Sequence, residues 1–142
     1  MILPDVNVLL YAHRREYDEH RRYVAWLGQC VNAPEPFAMS ELVSSAFVRI
    51  ATNGRAFDRP TSVEDAFEFV ARLTGRANCV MLRPGPRNWS IFKGLCEQAH
   101  VTSKLVADAY HAALAIEHGC EWITNDGDFA RFKTLRWRHP LR

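Results

Sequence analysis

Short apolar runs alternate with longer segments of helical spacing along the chain. Four runs are too short for helices and predict buried strands, at residues 2–6, 37–39, 79–82 and 121–124, with a possible fifth at 135–138. Five segments have the apolar spacing or the capping residues of helices: 16–29, 40–52, 61–73, 86–100 and 104–118. An apolar stretch with a polar end, at 8–13, lies between the first predicted strand and the first predicted helix. Thr61 with Glu64 predicts a capping box.

This alternation is typical of a parallel sheet covered by helices, so we expect an α/β fold. A chain of 142 residues has room for one domain, which we place at residues 1–142, with a short central parallel sheet. The chain is 48% hydrophobic and 24% charged, which excludes a disordered protein. It has no signal-peptide pattern and no apolar run near the ~18 residues of a membrane span, so we expect a cytoplasmic protein without a membrane partner.

Carboxylates follow three of the predicted strands. Asp5 ends the first strand, Glu41 comes after the second beside Ser40, and the segment 124–128 follows the fourth with Asp126 and Asp128. Ligands of parallel α/β sheets bind beyond the carboxyl ends of the strands, so these acids are candidates for one site. Taken singly, Glu41 also fits a helix first turn and Asp126 a tight turn.

A further acid, Asp108, lies in the apolar helix predicted at 104–118. Burying its charge is costly unless the carboxylate is paired or binds a metal, and His111, three residues on, is a possible local partner. Several acids at one sheet edge repel each other unless a cation is present, and Mg²⁺ or Mn²⁺ prefers such oxygen ligands. Small polar residues stand beside the acids and are candidates to orient them: Asn7, Ser40, Thr124 and Asn125. The pattern predicts metal-dependent phosphoryl transfer or hydrolysis.

Four segments in this order resemble the PIN-domain ribonucleases, and more narrowly the VapC toxins of VapBC toxin–antitoxin modules. They are DVNVLLYA from Asp5, Ser40-Glu41, DAYHAALAIEHG from Asp108, and WITNDGDF from Trp122. The resemblance covers nearly the whole chain. One departure is Thr102-Ser103-Lys104, where related sequences often carry Gly-Asn.

The resemblance implies that Asp5, Glu41, Asp108 and Asp126 bind Mg²⁺ or Mn²⁺ and activate water, with Asp128 as an additional acid and Thr124 as the hydroxyl near the metal. It also implies a single-strand-specific endoribonuclease that cuts tRNA or ribosomal RNA and stops translation. A homodimer and a VapB antitoxin, whose C-terminal segment lies over the active site, are the partners that it implies.

Basic residues add candidates for RNA contact. They cluster after the first motif, at Arg14, Arg15, Arg21 and Arg22, and at the C-terminus, at Arg131, Lys133, Arg136, Arg138 and Arg142 beside Trp137. Of these we single out Arg14, Arg15, Arg131 and Arg136. The net charge of +2 comes from 18 basic and 16 acidic residues. With the five candidate acids set aside, 18 basic residues face 11 acidic ones, a balance of +7 that suits RNA.

Other functions remain open from the residues alone. A haloacid-dehalogenase-like phosphatase needs a second Asp where the chain has Asn7, and a flap endonuclease needs longer helices than the chain has room for. A receiver-like metal-binding module needs a Lys after a late strand, for which Lys133 is the only candidate. A catalytically inactive PIN scaffold is disfavoured because all of the acids are present.

Overall fold

The computed structural model describes residues 1–142. Its five strands are β1 Ile2–Pro4, β2 Phe37–Ser40, β3 Cys79–Leu82, β4 Glu121–Ile123 and β5 Trp137–Arg138. Its six α-helices are α1 Val6–His13, α2 His20–Asn32, α3 Glu41–Ala51, α4 Val63–Thr74, α5 Asn88–Ala99 and α6 Lys104–Glu117. A 3₁₀ turn, Gly127–Arg131, follows β4.

The strands form one sheet in the order β3-β2-β1-β4-β5, and every neighbouring pair is parallel. The predicted α/β fold with a short parallel sheet flanked by helices is confirmed. β1 lies in the middle of this order, between β2 and β4. The first residues after β1 and β4 therefore lie side by side at the carboxyl edge, and a backbone bond of 2.8 Å joins Asp5 N–H to the Ile123 carbonyl there.

The core lies between the sheet and its helices. Its largest fully buried side chains are Trp122, Tyr23, Phe37, Phe47 and Phe132. α6 packs a small-residue face inward, with Ala109, Ala112, Ala113 and Ala115 buried. The small side chains of this face let the helix approach its neighbours closely. Asp108 lies on the same helix, in its first half. None of the helices is long and apolar enough to cross a membrane.

Several predicted boundaries shift in the structure by a few residues. β1 ends at Pro4 rather than residue 6, because the Asp5 side chain caps a helix that begins at Val6. α2 begins at His20 rather than residue 16. The cap of α4 is Ser62, which accepts a hydrogen bond from Asp65 N–H, so the predicted Thr61 capping box is wrong.

Candidate active site

Asp5 occupies the position between β1 and α1 and is almost fully buried, at 5% exposure. Its backbone is extended, and its Oδ1 accepts a hydrogen bond of 2.6 Å from Val6 N–H, so the carboxylate caps α1. An acceptor at this place satisfies a free N–H of the first helical turn and complements the helix dipole. The chain thus fixes one carboxylate oxygen by local geometry and leaves the other, Oδ2, to the neighbouring strand.

Thr124, the first residue after β4, holds that second oxygen. Its hydroxyl donates to Asp5 Oδ2 at 2.6 Å and accepts from Asp126 N–H at 3.0 Å. The Asn7 amide donates to both Asp5 Oδ2 and Thr124 Oγ1, each at 3.0 Å. Thr124 is fully buried, so these bonds are shielded from water. The structure thus places Asn7 and Thr124 where they orient Asp5.

Asp126 caps the 3₁₀ turn that follows β4, and Asp128 lies within that turn. Asp126 is half-buried, and its Oδ1 accepts from Asp128 N–H at 2.9 Å, which closes the turn. Asp128 is exposed, and its carboxylate lies 3.5 Å from Arg131 Nη2. The amide of Asn125 donates to Tyr23 Oη at 3.0 Å, and so ties the same loop to α2.

Asp108 projects from the first half of α6 and is half-buried. Its Oδ2 is buried and has no hydrogen-bond partner. Burial raises the pKa of this carboxyl, and the charges of Asp126 and Asp128 raise it further, while Lys104 and Arg131 lower it. Asp108 therefore lies within electrostatic reach of the turn after β4, with an oxygen left free.

His111 is not the partner of Asp108 that its spacing suggested. Its Nδ1 is buried and unpartnered, and its ring lies 5.3 Å from the Trp122 ring. Burial lowers the pKa of His111 to about 4, so the ring is neutral at physiological pH. The orphaned Asp108 oxygen must therefore be satisfied by something other than this imidazole.

The pKa of Asp5 is raised from 3.8 to about 6. Burial is the main cause; the hydrogen bonds from Thr124 and Val6 lower the value, and the charges of Asp108 and Asp126 raise it. Three aspartates thus interact across the ends of β1, β4 and α6. The folded protein bears an electrostatic cost there that a cation would remove.

Glu41 and Ser40 lie at the end of β2, as expected, but their side chains serve other contacts. Ser40 is buried, and its hydroxyl accepts from Val43 N–H at 3.1 Å as the cap of α3. Glu41 is exposed and pairs with Arg83 at 3.0 Å. The structure therefore brings the aspartates together and leaves the Glu41 carboxylate turned toward Arg83 at the rim.

The chemistry of these donors fits a divalent metal ion. Buried oxygens without a partner remain on Asp108 and on Asn7, at Oδ1. Oxygen-rich sites with several carboxylates are those that Mg²⁺ and Mn²⁺ occupy. No three Asp, Glu, His or Cys side chains already stand in the arrangement of a metal site, so binding would draw them closer.

The four arginines predicted to contact RNA lie in different surroundings. Arg14 is buried: its guanidinium donates to Glu16, to Thr61 Oγ1 and to the Arg59 carbonyl, and lies 4.1 Å from the Phe57 ring. These contacts tie α1 to the loop before α4, so we assign Arg14 a structural role and withdraw it as an RNA contact.

Arg136 donates to the Gly119 carbonyl at 2.7 Å, beside the amino end of β4 and thus at the edge opposite the acids. Arg15 is exposed in the loop between α1 and α2. Arg131 is the one that touches an acid of the site. Lys104, which sequence reasoning passed over, also acts on that site, since its charge lowers the pKa of Asp108. Its position four residues before Asp108 on one helix was the signal available.

Comparison with known proteins agrees with this arrangement. The family model described as PIN domain matches residues 2–135. Ribonuclease VapC43 of Mycobacterium tuberculosis is 42% identical over 141 residues, which cover 99% of this chain and 96% of that protein. Further curated relatives, at 37% and 39% identity, also bear VapC ribonuclease names.

Solved structures show the same fold at low sequence identity. VapBC2 from Rickettsia felis, bound to a DNA fragment from its promoter, matches with a TM-score of 0.67 and 16% identity over 98% of each chain. VapC20 of Mycobacterium tuberculosis, a sarcin–ricin loop cleaving toxin, matches with a TM-score of 0.65 and 14% identity over 92% of this chain and 93% of that one. From its family match and its curated relatives, this chain belongs to the PIN-domain family and to the VapC ribonucleases within it.

Proposed function

We propose that the protein is a Mg²⁺- or Mn²⁺-dependent endoribonuclease, the toxin of a type II toxin–antitoxin pair. It hydrolyses phosphodiester bonds in single-stranded regions of tRNA or ribosomal RNA and thereby inhibits translation in the cytoplasm. The observation that carries this proposal is the buried carboxylate of Asp5, which three hydrogen bonds orient and whose pKa the charge of Asp108 helps to raise. The Asp108 carboxylate itself has a buried oxygen without a hydrogen-bond partner. The names of its relatives, VapC ribonucleases, support the RNA substrate.

Asp5, Asp108 and Asp126 would hold the metal ion. A bound divalent cation supplies a water of lowered pKa and neutralises charge on the scissile phosphate. Thr124 and Asn7 keep Asp5 Oδ2 at a fixed angle, and the Val6 N–H holds Oδ1, so the carboxylate does not need to reorganise. The Asp5 carboxylate after β1 is therefore preorganised, whereas the carboxylates at the 3₁₀ turn would adjust when a cation binds.

Glu41 and Asp128 complete the acidic set in this proposal. Each is exposed and makes one surface ion pair, Glu41 with Arg83 and Asp128 with Arg131. Surface pairs of this kind are worth about 0–1 kcal/mol, so turning either carboxylate toward the site costs little. Both residues are thus free to act on a bound cation, or on the attacking water, without disturbing the core.

The test is cleavage of single-stranded RNA by the purified protein with Mg²⁺. Asp5→Asn and Asp108→Asn should each lower the rate by more than about 100-fold, and EDTA should abolish it. Asn is as good a helix cap as Asp, so Asp5→Asn should stay folded, which circular dichroism checks. The exposed Asp58 provides the matched control, Asp58→Asn, which should cleave like the wild type.

Two outcomes would reject the proposal. Cleavage of RNA by Asp5→Asn and Asp108→Asn at the wild-type rate would show that the acids are not the catalytic centre. Cation binding without cleavage of any RNA would favour the alternative, an inactive or receiver-like metal-binding module, and an acyl-phosphate on the intact protein would identify the receiver.

We also propose a VapB-type antitoxin partner and a homodimer. A groove of about 390 Å³ between α3 and α4 is lined by Val48, Phe67 and Val70, with Glu41 at its rim. Phe67 is 59% exposed in the isolated chain. An antitoxin segment in this groove would cover Phe67 and reach the acids, and it would then inhibit the cleavage assay above. Light scattering of the purified chain tests the dimer.

A further inference from the structure

A second cleft lies next to the acidic site, between the end of α5 and the 3₁₀ turn. It has a volume of about 260 Å³ and is lined by Leu95, Gln98, Ala99, Arg131, Phe132 and Lys133. Leu95 and Phe132 are buried and form an apolar floor, whereas Gln98, Arg131 and Lys133 are exposed. The cleft thus combines an apolar surface with one amide and two cations at its mouth.

Its charge separates this cleft from the polar cleft at the loop between α1 and α2. No acidic residue lines it. The cleft at the α1–α2 loop also has two arginines, Arg15 and Arg21, but it includes Glu16 and Asp18. A polyanion placed near the active site therefore meets positive charge at Lys133, which makes no ion pair, and at Arg131, whose ion pair with Asp128 is at the surface.

Arg131 connects the cleft to the acids. Its Nε donates to the Asp128 carbonyl at 2.9 Å, and its Nη2 lies 3.5 Å from the Asp128 carboxylate. Lys104 adds a third cation, at the start of α6 and four residues before Asp108. The turn between α5 and α6 that presents Lys104 has positive φ at His100 and Ser103, and no acid lies in it. Basic groups thus border the acidic site on this side.

We propose that this cleft is a subsite for the nucleotide next to the scissile phosphate in single-stranded RNA. Lys133 contacts the phosphate of that nucleotide, and the base enters the cleft with the Gln98 amide at a base edge. Single-stranded RNA offers both groups, because its bases are unstacked and its phosphates are exposed. The inference rests on the proposed ribonuclease activity and names how the substrate is held.

Lys133→Gln is the sharpest test, because Lys133 is exposed and touches none of the acids. The probe is a short fluorescein-labelled single-stranded RNA of mixed sequence, and binding is measured by anisotropy in EDTA so that no cleavage occurs. Loss of one phosphate contact should lower the slope of log affinity against log salt by about 0.7, which is about a fivefold loss of affinity near 0.1 M salt. With Mg²⁺, KM should rise by a similar factor and kcat should stay unchanged.

Two companion variants sharpen the outcome. Gln98→Ala should raise KM without changing the salt slope, because the amide carries no charge. Arg55→Gln removes an exposed cation from the loop between α3 and α4, and should leave slope and KM at the wild-type values.

A Lys133→Gln protein with the wild-type slope and KM, while the wild type cleaves RNA, would overturn the subsite and leave the ribonuclease proposal intact. A fall in kcat at unchanged KM would also overturn the subsite, since it would place Lys133 in the chemical step. Failure of the wild type to cleave any RNA would instead reject the proposed function.

Discussion

Replacing Asp5 with Asn in protein stripped of divalent cations should change how stability depends on pH. The Asp5 carboxyl is 5% exposed and its pKa is raised from 3.8 to about 6, chiefly by burial, with Asp108 and Asp126 adding to the rise. The folded protein therefore binds a proton here more tightly than the unfolded chain does. Stability from this group is complete below the unfolded pKa and is lost as pH rises through the folded one.

The size of the effect follows from the two pKa values. A carboxyl with a pKa of 3.8 in the unfolded chain and about 6 in the folded protein costs the fold about 3 kcal/mol once it is ionised. Between about pH 4.5 and pH 7 the loss amounts to about 2 kcal/mol. The pKa of Asp108 is raised as well, so its contribution has the same sign.

Urea unfolding in EDTA, followed by far-UV circular dichroism at both pH values, measures this loss. The wild type should lose about 2 kcal/mol more than Asp5→Asn between the two conditions. Asp58→Asn, at an exposed aspartate, should keep the wild-type pH dependence. Excess Mg²⁺ at neutral pH should restore stability to the wild type and not to Asp5→Asn. An Asp5→Asn protein that loses as much stability as the wild type would refute the reasoning, since the carboxyl would then not be desolvated.

Five further substitutions test contacts at the site and elsewhere in the fold. Thr124→Val removes the hydroxyl that donates to Asp5 and accepts from Asp126 N–H. It should lower the free energy of unfolding by about 1–3 kcal/mol and the rate of RNA cleavage by about 10- to 100-fold. Thr124→Ser keeps the hydroxyl and should retain both the stability and the cleavage rate. A Cβ on Gly85 would lie 2.6 Å from Oε1 of Glu117, a carboxylate that accepts from Gly85 N–H and Arg87 N–H. Gly85→Ala should therefore cost about 1–3 kcal/mol in urea unfolding, whereas Gly94→Ala, a helical site with open space, should gain about 0.5–1 kcal/mol. Ser103 has φ 54° and ψ −126°, so Ser103→Gly should raise the unfolding free energy by about 1 kcal/mol, and an unchanged value would show that the turn is unstrained.

The sequence predicted the strands and the acidic edge because both depend on short-range pattern. Strand ends in a parallel sheet meet at one edge, so a common edge for Asp5 and Asp126 followed from their positions, whereas the pairing of β1 with β4 that makes them neighbours did not. The stretch 8–13 was harder to assign: Val8, Leu9, Leu10 and Ala12 of α1 are all buried, so the helix shows no polar face in its sequence. A buried helix and a buried strand look alike in a short apolar run.

The misassigned residues depend on contacts distant in sequence. Arg14 stands beside Arg15 in the chain, but a loop some 45 residues further on supplies Arg59 and Thr61 to bury it. His111 has the spacing of a partner for Asp108, but its ring packs against Trp122 of β4 instead. In both cases the tertiary fold decides the contact, and spacing along the chain does not show it.

The acidic edge is a place where stability and function oppose each other. The same burial that raises the pKa of Asp5 strengthens its attraction for a cation, because fewer water molecules compete for its oxygens. Thr124 and Asn7 prevent Asp5 from relieving the cost by turning away, since both donate to its Oδ2. The fold therefore retains an unfavourable carboxylate, which the proposed function would put to use by binding a cation there. The basic residue Arg131, beside the acids, would then contact the RNA. The bound cation would offset the negative charge of the acids, which would otherwise repel the RNA.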